Sequence, residues 1–192
     1  MTVFDDKNSL TLLQKGLPEY EIVDDVTRTI ALTLIRAISP TGNPDEIYPV
    51  QVLGQCQGNQ VFSYAVLPFS AATVKQFVMT ESDVYTVPVR ACQSSPHMGT
   101  MPVTGSFMEI NGNNFQVTAV KKAEYENAVV VRGYNYGDNE TMVKIKLNNT
   151  VQQALKVTLE EKEQEKLIVN GNSVEFKVLK GEIVTIMIME GL

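Results

Sequence analysis

Residues 142–147, MVKIKL, alternate apolar and charged side chains. In an extended strand Val143, Ile145 and Leu147 would share one face, and the two lysines between them would share the other. This period of two is typical of a β-strand that buries one face in a core and leaves the other in water. The stretch therefore predicts a half-buried strand.

Short, β-branched runs of the same kind recur along the chain. They lie at 10–13, 29–35, 48–53, 60–67, 84–89, 107–110, 115–120, 127–134, 174–179 and 183–189. Two Asn/Gly-rich segments between such runs, 111–114 and 169–174, predict hairpin turns. Residues 70–80 favour a short helix with Ser70 as its N-cap, and the charge-rich residues 159–167 favour a solvated loop or a helical turn. The predicted fold class is all-β.

A change in composition divides the chain into two predicted regions. Residues 92–105 are rich in Ser, Pro and Gly, which fits either a linker or a long crossover. After this segment, strands and Asn/Gly turns alternate regularly, so residues 105–192 are predicted to form a complete C-terminal β-sandwich. Before it the loops are longer, and residues 1–104 are predicted to be part of a larger β-sandwich region.

Composition and charge exclude several classes of function. The 192 residues carry a net charge of −6 with scattered basic side chains, so neither nucleic acid nor an anionic membrane is an expected partner. No apolar run reaches the roughly 18 residues that span a bilayer, and the first residues lack the pattern of a signal peptide. Cys56 and Cys92 are the two cysteines and are predicted to be free thiols. The predicted location is the cytoplasm.

Two pairs of side chains could carry chemistry inside the chain, and both are weak. Glu19 and Glu21 would share a strand face at roughly 7 Å, near the spacing of glycosidase carboxylates, but such pairs are common on solvated faces. Cys92 and His97 lack any feature that would form an oxyanion hole. One histidine and two cysteines do not make a zinc site. We predict no catalytic residue, metal site or cofactor in this chain, and the absence of Trp disfavours a dedicated sugar-binding surface.

Five segments, in order, resemble the C-terminal part of bacterial family 38 glycoside hydrolases, the α-mannosidases. KGLPEYEI at 15–22 resembles a Gly-Leu-x-Glu-Tyr-Glu segment of those enzymes. The other four are RTIALTLIRAI (28–38), VQVLG with QVFSYAVLPF (50–69), FQVTAVKKAEYENAVVVRGYNYGDNE (115–140) and LKGEIVTIMI (179–188). The resemblance keeps its order from residue 10 to the end of the chain.

Three positions depart from the family pattern, and two others within the resemblance are expected to be structural. Val52, Phe69 and Gly181 stand where the family tends to have Cys, His and Pro. We therefore do not expect position 69 to play the role that a histidine would have there. Tyr134 and Asn135, within the resemblance, favour structural roles, with Asn135 placed in a turn.

The resemblance implies a function that this chain would not perform by itself. Family 38 enzymes carry zinc, a nucleophilic aspartate and a general acid in an N-terminal catalytic domain. We expect no part of that domain within the 192 residues of this sequence. The chain is thus expected to be the noncatalytic C-terminal β portion of a retaining, zinc-dependent α-mannosidase. The expected partners are its own N-terminal catalytic domain and an α-mannoside, which could be mannosylglycerate, its phosphorylated form or another. A homo-oligomer is a further expectation, because an incomplete sheet exposes an edge.

Four residues are the candidates for contact outside the chain's own sheets. Pro18 stiffens the kink before Glu19, Tyr20 and Glu21, which we expect to touch the catalytic domain or the rim of its substrate site. Arg36 ends an apolar run and either faces the sugar or pairs with one of these carboxylates in an internal salt bridge, which is the commoner role. The alternative function is an independent β-sandwich module that binds carbohydrate or protein. A small self-contained hydrolase is the least favoured interpretation.

Overall fold

A computed structural model of the chain describes residues 1–37, 52–70, 74–96, 98–100 and 102–191. The chain divides into two compact units, Met1–Ala91 and Cys92–Leu192. Regular structure is mostly antiparallel strand in several sheets, which confirms the all-β fold class. Within the described ranges, no helix is long and apolar enough to cross a membrane.

The N-terminal unit contains a three-stranded sheet, a separate two-stranded ribbon and one α-helix in its described residues. These elements are β1 (Thr2–Phe4), β2 (Asn8–Lys15), β3 (Tyr20–Ile22), β4 (Ile30–Leu32), β5 (Ser63–Ser70) and α1 (Val74–Thr86). The sheet has the order β1-β2-β5, and β3 pairs with β4; all pairs are antiparallel. A short 3₁₀ turn spans Val52–Gln55, and the predicted strand at 48–53 otherwise lies outside the described residues.

Helix α1 packs on one face of the three-stranded sheet. The rings of Phe69 and Phe77 meet edge to face with their centroids 5.5 Å apart. The hydroxyls of Ser63 and Tyr85 lie 2.7 Å apart. In β2, Thr11 and Leu13 belong to this same face by register and are buried. The opposite face of the sheet is not covered by α1.

The helix corrects two predictions. Ser70 is not an N-cap, because it is the last residue of β5 and the helix begins at Val74. The predicted strand at 84–89 is also wrong, since the helix continues to Thr86. Phe77 and Tyr85 are eight residues apart, a separation that places both on one helix face toward β5. This tertiary contact outweighs the strand preference of the local β-branched residues.

The C-terminal unit is a sandwich of two antiparallel sheets. Its strands are β6 (Met108–Asn111), β7 (Phe115–Lys122), β8 (Val129–Asn135), β9 (Thr141–Leu147), β10 (Val151–Val157), β11 (Glu163–Leu167), β12 (Val169–Asn170), β13 (Ser173–Val178) and β14 (Ile183–Glu190). The first sheet has the order β11-β10-β14-β8-β7 and the second has the order β12-β13-β9-β6.

The inner faces of the two sheets form one hydrophobic core. Val143, Ile145 and Leu147 are buried on β9, as the alternation in MVKIKL predicts, and they belong to one cluster with Val131 and Ile186 of the other sheet. The five-stranded sheet has a second buried cluster, which includes Val130, Leu155 and Met187. In a strand whose neighbours in sequence face opposite ways, Val130 and Val131 lie on opposite faces. Both faces of β8 are thus apolar at this point.

One of the two predicted hairpins is confirmed and the other is wrong. Residues 169–174 form the β12–β13 hairpin, with Gly171 in the left-handed conformation at φ +62°. Residues 111–114 instead carry the chain from the four-stranded sheet, which contains β6, to the five-stranded sheet, which contains β7. Asn114 takes φ +56° there. A turn motif sets the local bend, but the apolar faces on either side decide which strands pair.

The charge-rich residues 159–167 are predicted from the sequence to be a loop or a helical turn. Their second half, Glu163–Leu167, is instead strand β11. Strand β11 pairs with β10 along Ala154–Val157. It lies at the edge of the five-stranded sheet, and four of its five residues are exposed. An edge strand can carry charges because its side chains and its outer edge meet water. Charge density alone therefore gave the wrong prediction here.

Candidate functional site

The turn that precedes the candidate residues is held in place from inside the N-terminal unit. Gly16 takes φ +76°, a left-handed conformation that favours glycine. The side-chain oxygen of Gln14 accepts a hydrogen bond of 2.6 Å from the backbone N–H of Leu17. Leu17 is itself buried. The chain therefore leaves β2 in a fixed direction and reaches Pro18 and the ribbon.

The ribbon of β3 and β4 presents the candidates at the surface. Tyr20 pairs with Leu32, and Glu21 pairs with Ala31. The backbone N–H of Thr33 donates to the carbonyl oxygen of Glu19 over 3.1 Å and extends the pairing by one residue. Because side chains alternate along a strand, Glu19 and Glu21 share one face, and Tyr20 lies on the other. All three are exposed, and Tyr20 retains 53% of its accessible surface.

Arg36 pairs with Glu19 across the ribbon. The guanidinium Nη1 lies 2.5 Å from Oε1 of Glu19, and both side chains are largely exposed. This is the internal salt bridge that the sequence offered as one of two roles for Arg36. An exposed pair of this kind contributes at most about 1 kcal/mol to stability. It fixes the direction of both side chains and leaves Glu21 without an ion-pair partner among the described residues.

This arrangement does not supply hydrolytic chemistry to the two glutamates. A general acid requires dry surroundings that keep its proton at neutral pH. Glu19 is exposed and paired with the guanidinium of Arg36, and Glu21 is exposed on the same face of the ribbon. The geometry therefore suits contact with another surface better than proton transfer.

The thiols and the histidine do not form a described site either. Cys92 is exposed and Cys56 is half-buried, and both are free. His97 lies outside the described residues, and so does any pairing of His97 with Cys92. The described ranges contain no group of three or more His, Cys, Asp or Glu side chains that could hold a metal ion. The residues present in those ranges therefore do not fit a zinc site.

The structure shows one feature that the sequence analysis missed. A groove, named here the Arg28 groove, runs between the face of the three-stranded sheet opposite α1 and the loop that leads into β4. Its floor and wall are Val3, Leu10, Leu12, Val66 and residues 27–30, and its volume is about 300 Å³. It shares Val3, Leu10, Thr27 and Arg28 with the lining of a wider cavity of about 780 Å³ beside the β1–β2 turn. Its floor is aliphatic.

The wall of the Arg28 groove is built on Asp25. One carboxylate oxygen of Asp25 accepts hydrogen bonds from the N–H and the hydroxyl of Thr27 and from the N–H of Thr29, and the other accepts from the hydroxyl of Thr29. The hydroxyl of Thr27 and the donors of Thr29 outweigh partial burial and hold the pKa of Asp25 below its ordinary value. Arg28, between the two threonines, takes φ +50°. The Asp-x-Thr spacing is the sequence signal that could have indicated this turn.

Comparison with known proteins finds similarity to one family of enzymes. Residues 114–186 match the family described as the glycosyl hydrolases family 38 C-terminal beta sandwich domain. A protein of Halalkalibacterium halodurans, provisionally named a mannosylglycerate hydrolase, is 27% identical over 177 residues, which is 92% of this chain. The chain spans only 19% of the length of that relative.

Two solved structures share the fold. A family 38 glycosyl hydrolase from Enterococcus faecalis superposes with a TM-score of 0.79 at 24% identity, over 98% of this chain and 22% of that protein. An α-mannosidase from Enterococcus faecalis V583 superposes with a TM-score of 0.80 at 23% identity, over 98% of this chain and 20% of that protein. The match over residues 114–186 and the 27%-identical relative confirm the resemblance predicted from the sequence: the chain is similar to the C-terminal β region of family 38 glycosyl hydrolases.

Proposed function

We propose that this chain is the noncatalytic C-terminal β portion of a zinc-dependent, retaining α-mannosidase of family 38. The observation that carries the proposal is the match of residues 114–186 to the C-terminal beta sandwich domain of that family. The relative and the two solved structures support it, because in each of them the matching region makes up about a fifth of a much longer chain. The chain would pack on a catalytic region and support it.

In this proposal the chemistry belongs to the catalytic region. Zinc bound there would hold mannose hydroxyls, and two carboxyl groups there would serve as nucleophile and as acid and base. The substrate would be an α-mannoside, with mannosylglycerate favoured by the name of the 27%-identical relative. The free state of Cys56 and Cys92 supports a reducing compartment, and we propose the cytoplasm.

The ribbon of β3 and β4 is the proposed contact with the catalytic region or with the rim of its substrate site. A two-stranded ribbon is marginally stable in water unless another surface covers it. Tyr20 and Ile22 lie on one face of this ribbon and are both exposed. Glu21, on the opposite face, would meet polar groups of the partner or sugar hydroxyls. The pair of Glu19 and Arg36 would keep that face aligned.

The first test is the size of the native polypeptide in its source cells, measured by blotting with an antibody against this chain. The proposal predicts a band several times larger than 21.3 kDa. A band at 21.3 kDa would overturn it and would leave a free-standing binding module as the function to examine.

A second test is activity. The purified chain is expected to show no hydrolysis of a chromogenic α-mannoside above the buffer blank, with or without added zinc, while the native enzyme hydrolyses it. Zinc-dependent turnover by the chain alone would contradict the noncatalytic assignment.

A further inference from the structure

The Arg28 groove has an apolar floor where a free antiparallel sheet would present polar side chains. Helix α1 covers one face of the three-stranded sheet, and the other face should then be polar if it met only water. Instead Leu10 and Val66 project there and remain 38% and 55% exposed, next to Val3 and Leu12. A contiguous exposed aliphatic surface beside a fixed loop indicates a docking site.

Arg28 gives the groove a positive charge that no described side chain neutralises through an ion pair. Its guanidinium has no ion pair or hydrogen bond among the described residues. Asp5 and Asp6 line the adjoining wider cavity, and neither carboxylate forms an ion pair with Arg28. The backbone of Arg28 is held in a left-handed conformation by Asp25, an uncommon state for a non-glycine residue that clusters at binding sites.

The groove suits a polypeptide better than a saccharide. Sugars bind protein through aromatic platforms, and the narrow part of the groove is lined by aliphatic and threonine side chains together with Arg28. Strand β5, which supplies Val66, has no strand neighbour on its outer side within the described residues. Its free backbone groups could pair with an extended segment that also fills the floor.

We infer that the Arg28 groove binds an extended segment of the catalytic region, which places aliphatic side chains on Leu10, Leu12 and Val66 and a carboxylate against Arg28. The inference rests on the proposed function and adds to it a second contact besides the β3–β4 ribbon. Charge complementarity selects an acidic segment, because an unpartnered guanidinium binds a carboxylate through two parallel hydrogen bonds.

Photo-crosslinking in the whole enzyme tests the occupant. Benzoylphenylalanine replaces Val66 in one variant, and in a matched control it replaces Met142, which is 57% exposed on β9 of the C-terminal unit. We expect position 66 to crosslink to a peptide of the catalytic region that contains Asp or Glu beside aliphatic residues, at a yield at least fivefold above the control. Crosslinks only within residues 1–192, crosslinks to a second copy, or no crosslink at all would each overturn the inference.

Two substitutions at position 28 test the carboxylate contact. In the variant with the crosslinker at position 66, Arg28→Glu should reduce the crosslink yield at least threefold, and Arg28→Lys should retain most of it. Arg90→Glu, an exposed arginine of the same unit, is the matched control. Equal yields for Arg28→Glu and Arg90→Glu would contradict the role of Arg28. The blot separates the two hypotheses: a large native enzyme without this crosslink sinks only the inference, and a 21.3 kDa native protein sinks the proposed function.

Discussion

Asn135 is a fully buried polar residue whose side chain binds three backbone groups of the C-terminal unit. Its Nδ2 donates to the carbonyl oxygens of Asn139, at 2.7 Å, and Val178, at 3.2 Å, and its Oδ1 accepts from the N–H of Gly137 at 2.8 Å. The side chain thus shapes the loop after β8 and ties it to β13. Its energetic value lies in the backbone groups that would lose their partners without it.

We predict that Asn135→Ala lowers the free energy of unfolding by about 3 kcal/mol, because three buried or half-buried backbone groups lose hydrogen bonds. The measurement is urea unfolding of the chain followed by circular dichroism. Asn149→Ala is the control, since Asn149 is exposed and its Nδ2 donates to the carboxylate of Glu190 at the surface. A similar decrease in the free energy of unfolding for both variants would show that the hydrogen bonds of Asn135 stabilise the fold no more than a surface bond does.

Gly133 is required by the close approach of a neighbouring ring. A Cβ at this position would lie 2.4 Å from Cζ of Phe115 and 2.6 Å from the carbonyl oxygen of Gln116. The ring of Phe115 also contacts Phe176 of the other sheet, with centroids 6.3 Å apart. The missing side chain therefore makes room for an aromatic pair that joins the two sheets.

Gly133→Ala should destabilise the chain by about 3 kcal/mol, because overpacking forces the ring or the strand to shift. Gly99→Ala is the control and should change the unfolding free energy by less than about 0.5 kcal/mol, since a Cβ there has nothing within 4 Å. Adding Phe115→Leu to Gly133→Ala should restore only part of the loss, because the clash with the Gln116 oxygen remains. Full restoration would mean that the ring alone sets the requirement for glycine.

The candidate residues differ in how far the sequence could predict them. Arg36 ends an apolar run, and the segment that precedes this run carries Glu19 and Glu21, so a salt bridge is the commoner expectation for it. The pair of Arg36 with Glu19 is observed. Arg28 carried no such signal, because its significance comes from the floor of the groove, whose residues lie on β1, β2 and β5. Pairings within a hairpin are encoded locally, whereas a groove between a loop and a sheet requires the tertiary fold.

At the level of elements, the turn between β13 and β14 is fixed by a half-buried ion pair. Nζ of Lys156, on β10, lies 2.6 Å from Oε1 of Glu182, and the N–H of Leu179 donates to Oε2 over 2.7 Å. Partial burial, the largest influence, raises the pKa of Glu182, but the hydrogen bonds from Lys156 and Leu179 together outweigh it and the pKa is lowered. Ionised Glu182 therefore stabilises the fold.

The lowered pKa predicts a pH dependence of defined sign. The stabilisation is fully present above the unfolded pKa of about 4.3 and is lost as pH falls through the lower folded value. We expect Glu182→Gln to cost about 1 kcal/mol at pH 7 and distinctly less near pH 3, measured as urea midpoints. Glu109→Gln is the control, because Glu109 lies 3.8 Å from Lys146 and is exposed. An equal cost at both pH values would refute the assignment to charge.

An element could be predicted from the sequence where its alternation of apolar and polar residues matches the face that it buries. The alternation in MVKIKL gave β9 directly, because one face of this strand lies in the core. The prediction was wrong where packing against a neighbouring element determines the secondary structure. Helix α1 extends through a β-branched stretch because one of its faces packs on β5. Strand β11 pairs with β10 despite its charges, because its side chains meet water at the sheet edge.

At the scale of the molecule, the two units differ in how completely they bury their apolar surface. The C-terminal unit closes a core between two sheets, with Val143, Ile145, Val174 and Val178 at 0% exposure. In the N-terminal unit, Leu10 and Val66 stay exposed on the sheet face opposite α1. Tyr20 and Ile22 of the β3–β4 ribbon are exposed as well. The free energy of folding should therefore be concentrated in the C-terminal unit.

This contrast predicts that residues 92–192, expressed alone, fold cooperatively, whereas residues 1–91 do not. We expect the C-terminal fragment to show a single sharp thermal transition and dispersed amide resonances. The N-terminal fragment should bind a hydrophobic dye and show a broad transition, because hydrophobic burial in that unit is incomplete. Val66→Ser and Leu10→Ser within the N-terminal fragment should reduce the dye fluorescence, since these side chains form the exposed floor. A cooperative N-terminal fragment that binds no dye would mean that its apolar face needs no partner, and both proposed contacts with a catalytic region would lose their physical basis.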